Sequence, residues 1–159
     1  METFGFPLSE MEKLSFLVGK WKSRTEDQFG EKGVLESTFE VTRELGDHFI
    51  QTKGETRKDN VVINKAVDFI TYDPKIRKYI RKRMWSYGFI ENGEGQWEDN
   101  NTLMFQITYN NEPLGFEGTL WKSFIRKYSD NEISHGLYTA KKGEPYKLYG
   151  ESRATRSNR

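Results

Sequence analysis

From residue 20 onward, apolar and polar residues alternate in short runs broken by Gly, Asn and Asp. The runs are rich in Thr, Val, Ile, Phe, Tyr and Trp, and a period of two in such residues is the mark of a β-strand. The pattern predicts ten strands, over 20–29, 33–44, 47–57, 61–72, 76–87, 89–98, 102–109, 114–127, 132–140 and 145–156. Turn signals stand between them, among them Gly30–Gly33, Gly46-Asp47, Asp73-Pro74, Gly88 and Lys142-Gly143. Short connections make an antiparallel meander. An open sheet of that width would leave edges and an apolar face in water, so closure into a barrel is expected.

The alternation assigns faces. Leu103, Phe105, Ile107 and Tyr109 oppose Met104, Gln106 and Thr108. In 114–127, Leu114, Phe116, Leu120 and Phe124 read as the apolar side, with Glu117, Thr119, Ser123 and Lys127 opposite and Trp121 and Ile125 breaking the rule. Strand 61–72 is apolar on both sides, which predicts that its outer face is covered, with a helix as the candidate cover. Before the strands, Leu14, Leu17 and Val18 recur at helical spacing. A helix over about 8–18 is expected, with Ser9 as its N-cap, Glu10 and Glu12 in its first turn and Gly19 as its stop.

Composition narrows the class. The 159 residues suit a single domain spanning 1–159, with a frayed polar tail at 157–159. Aromatic residues make up 14%, too many for a disordered chain. Lys+Arg number 25 and Asp+Glu 24, a net charge of +1, so a globally basic nucleic-acid binder is excluded and no nucleic-acid partner is expected. With no Cys, there is no disulfide framework, thiolate metal site or Cys nucleophile. No signal-peptide pattern opens the chain and no stretch approaches 18 apolar residues, so no membrane span is expected and the expected compartment is the cytoplasm. The oligomeric state is not legible.

A short helix running into Gly19-Lys20-Trp21, followed by an all-β meander, resembles the calycin superfamily of lipocalins, fatty-acid-binding proteins and nitrobindin-like haem barrels. Leu14-Ser15-Phe16-Leu17-Val18-Gly19-Lys20-Trp21 is similar to the opening of small bacterial lipocalin-like domains. So are Tyr72-Asp73-Pro74 with Lys78-Tyr79, and Gly93-Glu94-Gly95-Gln96-Trp97 with Thr102-Leu103. The resemblance implies a closed barrel around a ligand. It also implies that Arg153 or Arg156 packs over Trp21, beside Gly19, as a structural floor.

One segment stands out chemically. Lys75-Ile76-Arg77-Lys78-Tyr79-Ile80-Arg81-Lys82-Arg83 holds six cations and no acid. In a hairpin around Gly88 whose paired numbers sum to about 176, Lys78 faces Glu98, Lys82 faces Glu94, and Arg81 and Arg83 face Gly95 and Gly93. Two readings follow. If the odd face lines the cavity, Arg81 and Arg83 hold an anionic head group while Tyr79, Trp85, Tyr87 and Trp97 form apolar walls, with Glu91 as a resident partner for the arginines. If the odd face is outside, the cations are solvated and available to an anionic partner.

Arg126 and Tyr128 extend the apolar parity of 114–127 toward a barrel mouth, or belong to a frayed strand end. His135 shares parity with Ile133 and Leu137 and is expected on the inner wall. Resemblance to the haem barrels makes it a candidate axial ligand, although no haem motif surrounds it. Otherwise no cofactor is expected. With only two His and no Cys no structural zinc site is expected, though carboxylates can also bind metal. No nucleophile elbow, P-loop or dinucleotide fingerprint is present, so no catalytic residue is assigned. The sequence therefore predicts an all-β barrel that binds a hydrophobic or amphipathic, anionic small molecule in its cavity. The alternatives are a haem- or metal-binding barrel with isomerase or peroxidase-like activity, and an anionic-partner module using 75–83.

Overall fold

The structure, a computed structural model, describes residues 5 and 7–157. It contains one α-helical turn, α1 (Ser9–Glu12), a 3-10 turn (Ser15–Leu17) and ten strands. These are β1 (Gly19–Glu26), β2 (Val34–Glu44), β3 (Phe49–Lys58), β4 (Val61–Asp73), β5 (Lys78–Trp85), β6 (Ile90–Trp97), β7 (Thr102–Tyr109), β8 (Thr119–Ser129), β9 (Glu132–Lys141) and β10 (Lys147–Arg156). Each strand pairs antiparallel with its chain neighbours, and β1 also pairs with β10, so the sheet closes into a barrel. The expected all-β closed meander is therefore present.

The seam between β1 and β10 is short. It holds only Trp21↔Arg156, Lys22↔Thr155 and Ser23↔Ala154. Beyond Ser23 the strands part and side chains fill the gap. The Gln28 side-chain carbonyl accepts the Glu151 N–H (3.1 Å), and Tyr149 donates its hydroxyl to the Phe29 carbonyl (3.2 Å). The Phe29 ring lies on Gly150, where a Cβ would sit 2.7 Å from it.

The N-terminal segment differs from the expected helix over 8–18. The helix proper is one turn, Leu8 occupies the cap position without a side-chain cap bond, and Ser9 is already helical. Tertiary contact replaces length, since so short a helix has little stability alone. Met11, Leu14 and Leu17 enter one end of the barrel and are 2%, 0% and 4% exposed. The segment thus forms the barrel floor instead of covering the outer face of β4, where Val67 and Phe69 stay half-buried. Tyr79 donates its hydroxyl to the Glu10 carbonyl (2.7 Å), tying floor to wall.

Of the two candidate arginines, Arg156 covers Trp21. Its guanidinium lies 4.4 Å from the ring centroid and donates to the carbonyls of Val18 (2.6 Å), Phe16 (2.9 Å) and Asp130 (2.8 Å). Trp21 donates its indole N–H to the Leu17 carbonyl (2.8 Å). Gly19 (φ +136°) leaves the space that the guanidinium fills. Arg153 is on the outside, over Tyr128 and paired with Glu132. The expected frayed tail is partly ordered: Ser157 donates its N–H to the Lys20 carbonyl (2.8 Å), and residues 158–159 lie outside the described residues.

Strand β8 corrects a face assignment. It begins at Thr119, and 110–118 is a loop with Leu114 91% exposed. Trp121, Ser123 and Ile125 face inward, whereas Leu120, Phe124, Arg126 and Tyr128 face outward. The apolar run that suggested the opposite lies largely in the loop, where strand parity has no meaning. Trp121 instead packs edge-on against Tyr109 and Tyr149 and beside Phe116, plugging part of the barrel mouth. Phe124 is buried on the outside by lying over Gly136 and against Tyr138.

Replacing Arg156 with Met removes donors from three floor carbonyls and the cation over Trp21. It is expected to lower unfolding free energy by about 2–4 kcal/mol. Arg153→Met is expected to leave the denaturation midpoint nearly unchanged. Urea unfolding followed by Trp fluorescence measures both.

Candidate ligand site inside the barrel

Tight connections fix the register that builds the site. The β4–β5 turn sets Asp68 opposite Arg83, and the β5–β6 turn sets Arg83 opposite Glu91. Thr52 pairs with Asp68 on one side and Tyr109 with Glu91 on the other. A polar row, Thr52–Asp68–Arg83–Glu91–Tyr109, therefore crosses the inner wall of five strands. The hairpin pairs at a sum of 174, two below the expected register, because the turn centres on Tyr87. A shift of two preserves the face, so the odd residues of β5 do point inward.

The new register changes the partners. Arg81 faces Gly93 and Arg83 faces Glu91. The glycines do not leave room for a ligand. The Phe105 ring fills that space, and a Cβ on Gly95 would stand 2.5 Å from it. Lys78 pairs with Glu94 (3.1 Å) instead of Glu98, and Lys82 is exposed opposite Asn92. The basic run is thus divided between the interior and the surface.

Both inward arginines converge on Asp68. Arg81 donates from Nη2 (2.9 Å), and Arg83 donates from Nε (3.0 Å) and Nη2 (2.9 Å), all to Oδ2. Arg81 also reaches Ser123 Oγ (3.4 Å) and lies over Phe105, and Arg83 lies 5.0 Å from the Trp85 ring centroid. Asp68 and Arg81 are 2% and 4% exposed. Burial pushes the Asp68 carboxyl up from its usual value, while Arg83 pulls it back. The same carboxylate raises the already high value of Arg83.

Polar capacity is left over. Among the described residues, the buried side-chain atoms without a hydrogen-bond partner are Asp68 Oδ1, Arg81 Nε, Trp85 Nε1 and both oxygens of Glu91. All belong to this one cluster. Asp68, Arg81, Arg83 and Trp85 line a cavity of about 120 Å3, closed elsewhere by Phe39, Val41, Ala66, Ile70, Ile125 and Ile133. Most of its wall surface is apolar, its charged groups gather at Asp68, Arg81 and Arg83, and Ser37, Thr52, Thr56 and Asn64 add neutral polar groups along β2 to β4.

His135 lines the same cavity, on the inner face expected for it. Its ring stacks on Phe29 (6.4 Å, 15°) and meets Phe39 edge-on (6.1 Å). Burial, reinforced by the positive charge of Arg83, lowers its pKa to about 4. The imidazole is therefore neutral near pH 7.

The other candidates lie elsewhere. Tyr79 and Trp97 belong to the floor, where the Trp97 indole N–H meets the Tyr79 hydroxyl (3.1 Å). Tyr87 stands on the rim, 62% exposed, with its hydroxyl on the Ile63 carbonyl. Arg126 and Tyr128 are outside. Tyr128 bonds Glu151 (3.1 Å), and Arg126 lies 3.7 Å from that carboxylate. Asp68 is the residue that sequence reading missed. Its signal was a lone acid on the parity of Ala66 and Ile70, in an otherwise apolar stretch.

The histidine makes a pH prediction. Its folded-state pKa lies below the ordinary value of 6.5, so the unfolded chain takes up the proton first as pH falls. Stability from this group is complete above the unfolded value and is lost as pH falls toward about 4. About 3 kcal/mol is expected to disappear over that window in the wild type and to be absent from His135→Gln. Denaturant unfolding across the pH range measures the difference.

Two solved structures share this architecture. Rv2717c from M. tuberculosis aligns at TM-score 0.71 and 15% identity, over 96% of this chain and 99% of that one. The S-type phycobiliprotein lyase CPES from Guillardia theta aligns at TM-score 0.56 and 14% identity, over 96% and 94%. At such identities the likeness is one of fold alone. No curated protein matches the sequence. Residues 6–156 match the family described as "Protein of unknown function (DUF1579)", and the chain belongs to that family.

Proposed function

We propose that this chain binds a small amphipathic molecule inside its barrel, with the apolar part against Phe39, Val41, Ile70 and Ile133 and the polar end at Asp68, Arg81 and Arg83. The carrying observation is that three cavity-lining residues, Asp68, Arg81 and Trp85, each keep a buried polar atom without a partner. Buried polar groups ordinarily find partners, and a molecule bound beside these three would supply them. The cavity is about 120 Å3, below the roughly 300 Å3 at which ordinary ligand pockets begin, so it has no room for a lipid-sized molecule and suits a single ring. The fold is shared with a phycobiliprotein lyase, and that likeness speaks for the scaffold only.

The haem reading fits less well. His135 faces the cavity, but Phe29 and Phe39 lie against its ring and the room beside it is far smaller than a porphyrin. The anionic-partner reading loses two of its six cations to Asp68 and a third to Glu94.

Benzyl alcohol, a ring with one hydroxyl, is a suitable probe. Titration should shift amide resonances around Ala66, Ile70 and Ile133, and Ala66→Phe, which fills the cavity, should abolish those shifts. Shifts that persist in the variant, or their absence in the wild type together with a clean unliganded mass by native mass spectrometry, would sink the proposal.

Removing the shared carboxylate strands two guanidiniums in the interior. Asp68→Asn is expected to cost about 3–5 kcal/mol of stability, seen as a lower urea midpoint.

A further inference from the structure

Glu91 is the least explained residue in the barrel. It is 1% exposed, and neither carboxylate oxygen has a hydrogen-bond partner. Its neighbours come from each adjoining strand: Arg83 and Trp85 from β5, Tyr109 from β7, and Asp68 across β5 on β4. Arg83, directly opposite, turns its Nε and Nη2 to Asp68 and makes no ion pair with Glu91. The Trp85 indole N–H and Tyr109 hydroxyl lie close enough to favour the charged form somewhat, yet by distance and angle neither completes a hydrogen bond to it.

An ionised carboxylate left without a donor in a protein interior is very costly, whereas a neutral carboxyl is not. We infer that Glu91 carries a proton in the folded protein, leaving Arg81 and Arg83 with one positive charge beyond what Asp68 neutralises, so that the molecule bound in the cavity is a monoanion. This rests on the proposed binding function and names the charge class of its ligand. Burial independently pushes the Glu91 carboxyl up, and Asp68 pushes the same way against the pull of Arg83. Tyr109, raised chiefly by burial, stays a neutral phenol. His135 is neutral and adds no charge.

The charge account has a direct consequence. Glu55, the other acid along the cavity, is paired with Arg57 (2.9 Å) and adds no net charge, so with Glu91 protonated Asp68, Arg81 and Arg83 leave +1, and a carboxylate on the ligand brings the interior to zero. Ionising Glu91 brings the empty interior to zero already, and an incoming anion then leaves it at −1 in an apolar surround. Anion binding is thus coupled to one proton on Glu91, although Glu91 does not itself line the cavity.

Benzoate and benzyl alcohol have nearly the same size and differ in charge, so they form the test. At pH 7 benzoate should bind at least about tenfold more tightly. Its affinity should fall by up to about tenfold per pH unit once pH has risen past the Glu91 titration. Glu91→Gln, a neutral isostere, should keep the affinity and flatten the profile. Benzyl alcohol binding as tightly as benzoate would overturn the charge inference and leave the binding function standing. Failure of both probes would overturn both.

A measurement on the wild type without ligand covers the case in which the variant does not fold. Carboxyl 13C resonances of Glu-labelled protein should show one Glu titrating well above the ordinary value of about 4.3. If all titrate near that value, the inference fails.

Discussion

Two guanidiniums share one carboxylate oxygen in the middle of this barrel, and much of the interior is arranged around that fact. Arginine cannot shed its charge, so the two cations need a counter-charge in an interior with little water. Asp68 can supply it because tight turns at both ends of β5 fix the register across β4, β5 and β6. Phe105 and Trp85 then lie against the guanidinium faces, leaving the edges for polar contact. A one-residue slip would turn Asp68, Arg81 and Arg83 outward together and expel the cluster. The cluster thus supplies specificity of register, a use attested for other buried ionic groups, and it marks the polar end of the cavity.

Much of the barrel was legible because period-two alternation and turn residues are local signals. All ten strands fall within a few residues of their expected spans, apart from the start of β8, and the inward parity of β7 is the one the alternation suggested, whereas for β5 the alternation left both faces open. The failures were non-local. Leu114 and Phe116 mimic a strand face but belong to a loop, and the parity of β8 was reversed with them. The helix was overextended because Leu14 and Leu17 are spaced for burial, and the barrel end buries them without a continuous helix.

The site was half visible for a similar reason. Six cations in nine residues attract attention, and so do Arg81 and Arg83 on one parity. The acid that neutralises them is a single Asp in another strand, and its pairing depends on a turn centre that composition does not specify. Glu91 was recognisable as a partner for the arginines. Its position opposite Arg83, without an ion pair, depends on a two-residue register difference. The two glycines illustrate the limit well. Gly93 faces Arg81 and Gly95 faces Tyr79, and the missing side chains of both make room for Phe105 from the next strand.

The short seam has a consequence for how this molecule comes to be. Nine of the ten strand pairs join neighbours in the chain, so each can zip as a hairpin with little loop to close. The tenth joins the first strand to the last through three residue pairs and the Arg156 contacts. Because ordering a chain over so long a separation is slow, the curled sheet must wait with its two outermost strands unpaired until β10 arrives. Until then Trp21 lacks its cation and the carbonyls of Phe16 and Val18 lack their donors. Assembly therefore passes through an open-edged stage, the state in which a β-rich chain is most exposed to pairing with its own kind.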